Sequence, residues 1–255
     1  MRALITGASS GIGRELAYEF AKRGYELVLV ARRRERLEEI KKDIGVNTDI
    51  ITADLTKEEE VMKVYREAGR VDVLINNAGF GVFGDFMETT LCAEIDMLHV
   101  NVRAMHMLMK LYISDFEKQG GGRILNVASA AAFCPGPMFS AYYATKAYIY
   151  RLSVSVDREL KNKKSNVKVS VLCPGPVKTE FGDVAGVSFG IYGLSCRYVA
   201  EYTAKKFLSG KTVIVPGKLM KCARFATKLM PDSVIARITA GIQTKKVQVD
   251  NAARR

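Results

Sequence analysis

Tryptophan is absent from this chain, and histidine occurs only twice, at His99 and His106. Two histidines on what reads as one helix, where they serve structure, leave little for a metal centre built on imidazole. Five cysteines (Cys92, Cys134, Cys173, Cys196, Cys222) are scattered, odd in number and form no C-x-x-C pair. They read as reduced thiols rather than as a disulfide frame or a zinc site, which suits a cytosolic protein. Missing too is any apolar run approaching the roughly 18 residues of a membrane span. No signal-peptide pattern precedes the first apolar run, Arg2-Ala-Leu-Ile-Thr6, so a cytoplasmic location is expected. No proline-, glycine- or serine-rich linker and no internal repeat divides the 255 residues, and one domain over 1–255 is expected. Acidic residues are in deficit, 27 against 39 lysines and arginines, for a net charge of +12. That balance suits an anionic ligand, an acidic carrier protein, nucleic acid or a membrane surface. Nucleic acid is set aside, because no binding motif accompanies the charge.

What is present is an alternation of short β-rich apolar runs with longer helical patterns, the mark of a parallel sheet with helices on both faces. The runs predict strands at 2–6, 26–31, 48–53, 71–76, 123–128, 167–173 and 212–215. Helices are predicted near 11–23, 33–44, 57–68, 92–118, 140–162 and 198–209. Residues 176–196 carry glycines and aromatics with weak periodicity and follow a strand end, a place for a substrate lid. Residues 217–246 read as one or two basic amphipathic helices broken at Pro231.

Thr6-Gly-Ala-Ser-Ser-Gly-Ile-Gly13 joins the first strand to the first helix. Its glycines (Gly7, Gly11, Gly13) let backbone approach a pyrophosphate, and the helix start offers free N–H groups. Ser9, Ser10 and Ile12 belong to the same turn. The second strand ends in Val30-Ala-Arg-Arg-Arg34, with no acid before Glu35 to hold ribose hydroxyls. Three arginines at a helix start oppose its dipole, and a 2′-phosphate would suit them. NADP(H) is therefore expected over NAD(H), with Arg32 the main contact. A solvated run balanced by Glu35, Glu38 and Glu39 is the alternative. Asp54, after the third strand, is placed for the adenine amino group, with Leu55 beside it. Asn76-Asn77-Ala78-Gly79 ends the fourth strand, where either asparagine holds the cofactor edge or caps the strand.

Tyr142 and Lys146 stand four apart in Ser140-Ala-Tyr-Tyr-Ala-Thr-Lys146, thirteen residues after Ser129. On a helix they share a face. A nearby ammonium favours phenolate, so the tyrosine pKa is expected to fall from its usual ~10 towards neutrality. A phenol tuned this way exchanges a proton with a carbonyl or alcohol oxygen. Tyr143 is adjacent, but only Tyr142 has lysine at i+4.

These pieces, with Asn101 and Pro174-Gly175, resemble the short-chain dehydrogenase/reductase family in order and spacing across roughly residues 1–215. The resemblance implies a doubly wound seven-stranded Rossmann sheet and hydride transfer between nicotinamide and a carbonyl or alcohol. It implies a tetrad of Asn101, Ser129, Tyr142 and Lys146. Tyr142 would be the acid in reduction and the base in oxidation, and Ser129 would bind the substrate oxygen. Lys146 would tune the tyrosine and hold the nicotinamide ribose, while Asn101 would position a relay water. Pro174, Gly175, Val177 and Thr179 would border the nicotinamide. No metal is implied. The resemblance also implies a homodimer or homotetramer through the helices near 92–118 and 140–162. Against these stand plainer roles: Ser129 as a strand-end cap, Asn101 as a structural hydrogen bonder, Lys146 as a solvated cation.

The ending differs from that of typical 3-oxoacyl carrier-protein reductases and looks more like the hydroxysteroid-dehydrogenase-like and carbonyl-reductase branches. Ala130, Phe133, Met138, Phe139, Val177 and Phe181 are candidate pocket residues, largely apolar. Cys134 is a candidate small filler beside them. A hydrophobic ketone or secondary alcohol, steroid-like or long acyl, is the expected substrate. A 3-oxoacyl-thioester reductase and a cofactor-binding regulatory protein without activity are the alternatives. The extension 217–246 either meets membrane lipid at the surface or packs on its own domain or a partner subunit.

Overall fold

The computed structural model describes residues 1–182 and 193–253. Strands β1 (Arg2–Thr6), β2 (Glu26–Ala31), β3 (Thr48–Thr52), β4 (Val73–Asn76), β5 (Gly122–Val127) and β6 (Val167–Leu172) alternate with helices. Helices α1 (Gly11–Ala21), α2 (Arg34–Ile44), α3 (Glu58–Ala68), α4 (Leu91–Leu98), α5 (Met105–Lys118) and α6 (Ser140–Asn162) connect them. A short strand, Val213–Ile214, completes a seven-stranded sheet in the order β3-β2-β1-β4-β5-β6 and then 213–214. Every pairing in it is parallel.

Near-continuous apolar strands are what such a sheet requires, because helices cover both faces. Ala3, Leu4 and Ile5 of β1 and Val28, Leu29 and Val30 of β2 are all fully buried. One core joins Val64 of α3, Tyr112 and Phe116 of α5 and Leu160 of α6 to the sheet. The other joins Leu16 and Phe20 of α1, Leu37 of α2 and Phe207 of the helix Cys196–Leu208. The fold is a doubly wound Rossmann sheet.

Strand order reverses between β1 and β4, paired in register at Ile5 and Ile75. Ligands of such sheets bind in the crevice beyond the strand ends at that point. The glycine turn leaves β1 there, and Asn77-Ala78-Gly79 leaves β4.

Two departures from the sequence expectations bear on the site. The helix expected at 92–118 starts at Leu91 and is interrupted by a π-helical turn, His99–Ala104. The wider turn carries Asn101 to the interior, where it is fully buried. The region 176–196 contains a two-stranded parallel ribbon, Val177–Lys178 with Leu194–Ser195. Residues 183–192 of the expected lid lie outside the described residues. The extension forms two helices, Lys218–Ala226 and Asp232–Ala253, with Pro231 between them as expected. Both pack on the chain's own domain. Arg224 donates to the Tyr150 hydroxyl at 2.9 Å and lies over the Phe133 ring, and Thr239 donates to the carbonyl of Pro135 at 2.9 Å.

Candidate active site

The site begins with a backbone that tolerates no side chain. Gly7 and Gly11 hold φ of +64° and +57°. A Cβ at Gly13 would lie 2.3 Å from the Gly7 carbonyl oxygen and 2.4 Å from the Asn77 side-chain nitrogen. Asn77 ties the turn down by donating to the carbonyls of Thr6 and Gly7 at 3.0 and 3.1 Å. The Thr6 hydroxyl accepts from the N–H groups of Asn77 and Ala78 at 3.0 and 3.1 Å. Ser10, before α1, gives it no side-chain cap. The first N–H groups of α1 therefore remain for an anionic ligand.

Beside the turn stands Arg33, a member of the arginine run, rather than the Arg32 singled out from the sequence. Arg33 donates to the Ser9 hydroxyl through Nε at 3.4 Å and Nη2 at 3.2 Å. Its Nη1 meets Glu180 at 3.0 Å, and Arg36 pairs with the same carboxylate. Arg36 and then Arg33 hold the Glu180 carboxyl below the usual carboxylate range. Arg32 is exposed and borders the cavity. The run at 32–34 had pointed to this corner, but only tertiary structure shows which guanidinium touches Ser9.

On the far side, Ser129 follows the end of β5 by two residues, and α6 brings Tyr142 and Lys146 to it. A buried polar chain anchors α6 to the sheet. Asn76 donates to Asn126 at 2.9 Å, Asn126 donates to Ser153 at 2.9 Å, and Ser153 donates to the Ile149 carbonyl at 2.7 Å. Tyr142 is 7% exposed, stacks on Phe139 at 4.5 Å and faces Phe181 at 5.4 Å. The Ser129 side chain lies close enough to the Tyr142 hydroxyl to draw its pKa down and accepts from the Ala131 N–H at 3.1 Å. Lys146 lies within 5.6 Å of the Tyr142 ring centre and donates to the Val127 carbonyl at 3.0 Å.

The electrostatics correct one expectation. Burial pushes the Tyr142 phenol above its ordinary value, and the Ser129 side chain opposes this only in part. Burial also brings Lys146 down, to about 8. Desolvation penalises the charged form of each, so among the protein's own groups it outweighs the attraction expected of the pair.

The cavity between these walls measures about 440 Å³. It is bordered by Gly7, Ser9, Ser10, Gly11, Ile12, Arg32, Asp54, Leu55, Asn77, Ala78, Gly79, Ser129, Tyr142, Lys146, Pro174, Gly175, Val177 and Thr179. Two expected site residues stand behind it. Gly13 packs under the turn. Asn101 accepts from the Phe80 N–H at 3.0 Å and donates to the Phe80 carbonyl at 2.9 Å and to the Thr145 hydroxyl at 3.1 Å. Those bonds are structural, and they fix the segment that follows Gly79. Asp54 also accepts from the Thr56 N–H at 3.1 Å, which orders the loop after β3.

Of the expected pocket residues, Ala130, Phe139, Val177 and Phe181 line the cavity. Phe133, Met138 and Cys134 are not among its lining. Phe133 turns to Tyr150 at 5.3 Å and to Arg224 instead. Phe80, Tyr143 and Gln243 line it without having been expected. His106 contacts the Tyr148 hydroxyl at 2.7 Å, a structural role. Among the described residues, no group of three or more metal-ligating side chains exists.

A close-approach glycine turn, open helix N–H groups and a flanking guanidinium fit a nicotinamide dinucleotide, which supplies or accepts hydride when bound. Comparison with known proteins agrees. A family model described as short chain dehydrogenase matches residues 1–186. The chain belongs to that family. It is 32% identical over 185 residues to 17-beta-hydroxysteroid dehydrogenase type 3 of Mus musculus, covering 69% of this chain and 60% of that protein. It thus spans less than two thirds of that relative's length. Among solved structures, a short-chain dehydrogenase from Sphingobium yanoikuyae in complex with NADPH superposes with a TM-score of 0.80 at 30% identity, covering 90% of this chain and 95% of that one. A 3-ketoacyl-(acyl-carrier-protein) reductase from Brucella melitensis complexed with NADH gives 0.75 at 28%, covering 84% and 96%.

Proposed function

We propose that this protein is an NADP(H)-dependent oxidoreductase acting on a hydrophobic ketone or secondary alcohol, steroid-like or long acyl. The observation that carries the reading is the buried Tyr142 phenol beside Ser129, in an aromatic-walled cavity that also holds Lys146 and the glycine turn. In reduction, Tyr142 gives its proton to the substrate oxygen, and in oxidation it takes one. Its high pKa suits the acid role, because the phenol is fully protonated at neutral pH. Ser129 steadies charge developing on that oxygen. Lys146 holds positive charge behind the phenol and binds the cofactor ribose. Asn101 acts by positioning Phe80 and Thr145 rather than by direct contact.

The NADP(H) preference rests on Arg33, Arg32 and Ser9, which border one corner of the cavity with no acid from β2 opposing them. The substrate class rests on Phe80, Phe139, Val177 and Phe181 in the lining.

The test is turnover by the full chain with NADPH and with NADH, over steroid ketones, bulky aryl ketones and 3-oxoacyl thioesters. NADPH with a bulky ketone should be the best combination. Faster turnover of thioesters would overturn the substrate class. Equal kcat/KM for the two cofactors would overturn the cofactor preference, as would an Arg33→Glu variant that weakens both alike.

A further inference from the structure

Two polar groups in the cavity take no part in the proton chemistry. Tyr143 borders it beside Tyr142, and Gln243 reaches it from the terminal helix, 100 residues further along the chain. Gln243 is 3% exposed. Its Nε2 donates to the Tyr143 hydroxyl at 3.0 Å, while its Oε1 is buried with no hydrogen-bond partner.

The docking of the helix does not explain that amide. Ile235, Thr239 and Gln243 recur every four residues and share one face. Ile235 is 3% exposed, and Thr239 donates to the Pro135 carbonyl at 2.9 Å. Those two contacts seat the helix. A leucine or methionine at 243 would complete the face without burying an unpaired amide oxygen, and buried polar groups are rarely left so.

We propose that Tyr143 and Gln243 form a second polar contact for substrate, taking a hydroxyl borne elsewhere on the hydrophobic ketone or alcohol. The Tyr143 hydroxyl accepts from Gln243 and keeps its own proton to donate. Burial pushes that phenol up to about 12, so the proton stays in place at neutral pH. Gln243 Oε1 accepts the substrate hydroxyl's proton after a small turn about its terminal torsion, which is soft. Donor and acceptor together match a hydroxyl, which is both. The extension after Gly217 is thereby part of the substrate site, and Gln243 selects among apolar ketones.

This inference rests on the oxidoreductase reading. The test uses the full chain with NADPH and steroid ketones carrying a hydroxyl at successive ring positions, each beside its deoxy parent. For at least one position the hydroxylated member should have a kcat/KM about tenfold higher, carried mainly by KM. Gln243→Leu and Tyr143→Phe should each lower that ratio towards one, and the double variant should lower it no further than either alone. Melting temperatures read alongside identify any variant that loses the fold, and Tyr143→Phe keeps the ring in place. A wild-type ratio near one at every position would overturn the inference, as would an undiminished ratio in both folded variants. Absence of turnover on every ketone, parent and hydroxylated alike, would instead sink the oxidoreductase reading, and this inference with it.

Discussion

The pair Tyr142 and Lys146 is poised by burial rather than by mutual attraction. Both are charge-averse where they stand, one held protonated and the other pulled down to about 8. Tyr142→Phe removes the exchangeable proton and leaves the stacking on Phe139, so turnover should fall by about two decades or more while NADPH still binds. Turnover assays beside a cofactor fluorescence titration check this. Lys146 gives a stability prediction with a definite sign. Its folded pKa lies below its unfolded one, so folding releases a proton between about pH 8 and the ordinary lysine value of 10.5. The unfolded chain binds more protons there, so the Lys146 contribution rises with pH and is least favourable below pH 8. Lys146→Met, freed of that penalty, should melt above wild type at pH 7, with the gap closing as the pH climbs towards 10. Thermal melts at several pH values measure it, and a constant gap would contradict the assignment. The i, i+4 spacing made the pairing of these residues legible in the sequence. The direction of the phenol's shift was not legible, because it depends on how much protein surrounds the ring.

At the scale of elements, the π-helical turn His99–Ala104 was the feature least visible beforehand. The stretch 92–118 reads as one apolar-periodic helix, and a single extra residue per turn leaves no compositional trace. Its effect is to bury an asparagine that clamps both backbone groups of Phe80. Asn101→Leu would orphan those groups and the Thr145 contact together. The cost should be about 2–4 kcal/mol in urea unfolding, well above that of an exposed substitution. The ribbon Val177–Lys178 with Leu194–Ser195 shows the same limit, since two-residue strands carry no periodicity. Just beyond it, Glu180 occupies the guanidinium groups of Arg33 and Arg36. A 2′-phosphate would compete with that carboxylate for the same donors. Glu180→Gln should therefore tighten NADPH binding by about two- to fivefold, in line with an exposed ion pair, and leave NADH binding nearly unchanged. Isothermal titration with both cofactors decides it.

Across the whole molecule, the strands and both cores follow from apolar runs that the sequence displays openly, while the doubly wound sheet was what the family resemblance implied. The partly hidden component is the extension after Gly217. Its amphipathic pattern was evident, as was the break at Pro231, but pattern alone does not say what the apolar face meets. Part of it meets the domain: Ile235 is buried, and Met220 packs against the core. Part faces outward, with Leu219, Phe225 and Leu229 each more than half exposed. Among the described residues, no helix is long and apolar enough to cross a membrane. Ile235→Asp should unseat the terminal helix while sparing the sheet. Limited trypsin digestion should then cut the lysine- and arginine-rich stretch after Gly217 at least several times faster than in wild type, leaving a resistant core. Finally, a Cβ placed on Gly175 would sit 2.6 Å from both Cγ and Sδ of Met220. The turn after β6 and the helix Lys218–Ala226 thus meet with no space for a methyl group between them. Chimeras that exchange the C-terminal helices will therefore have to keep residue 175 and the side chain facing it in step.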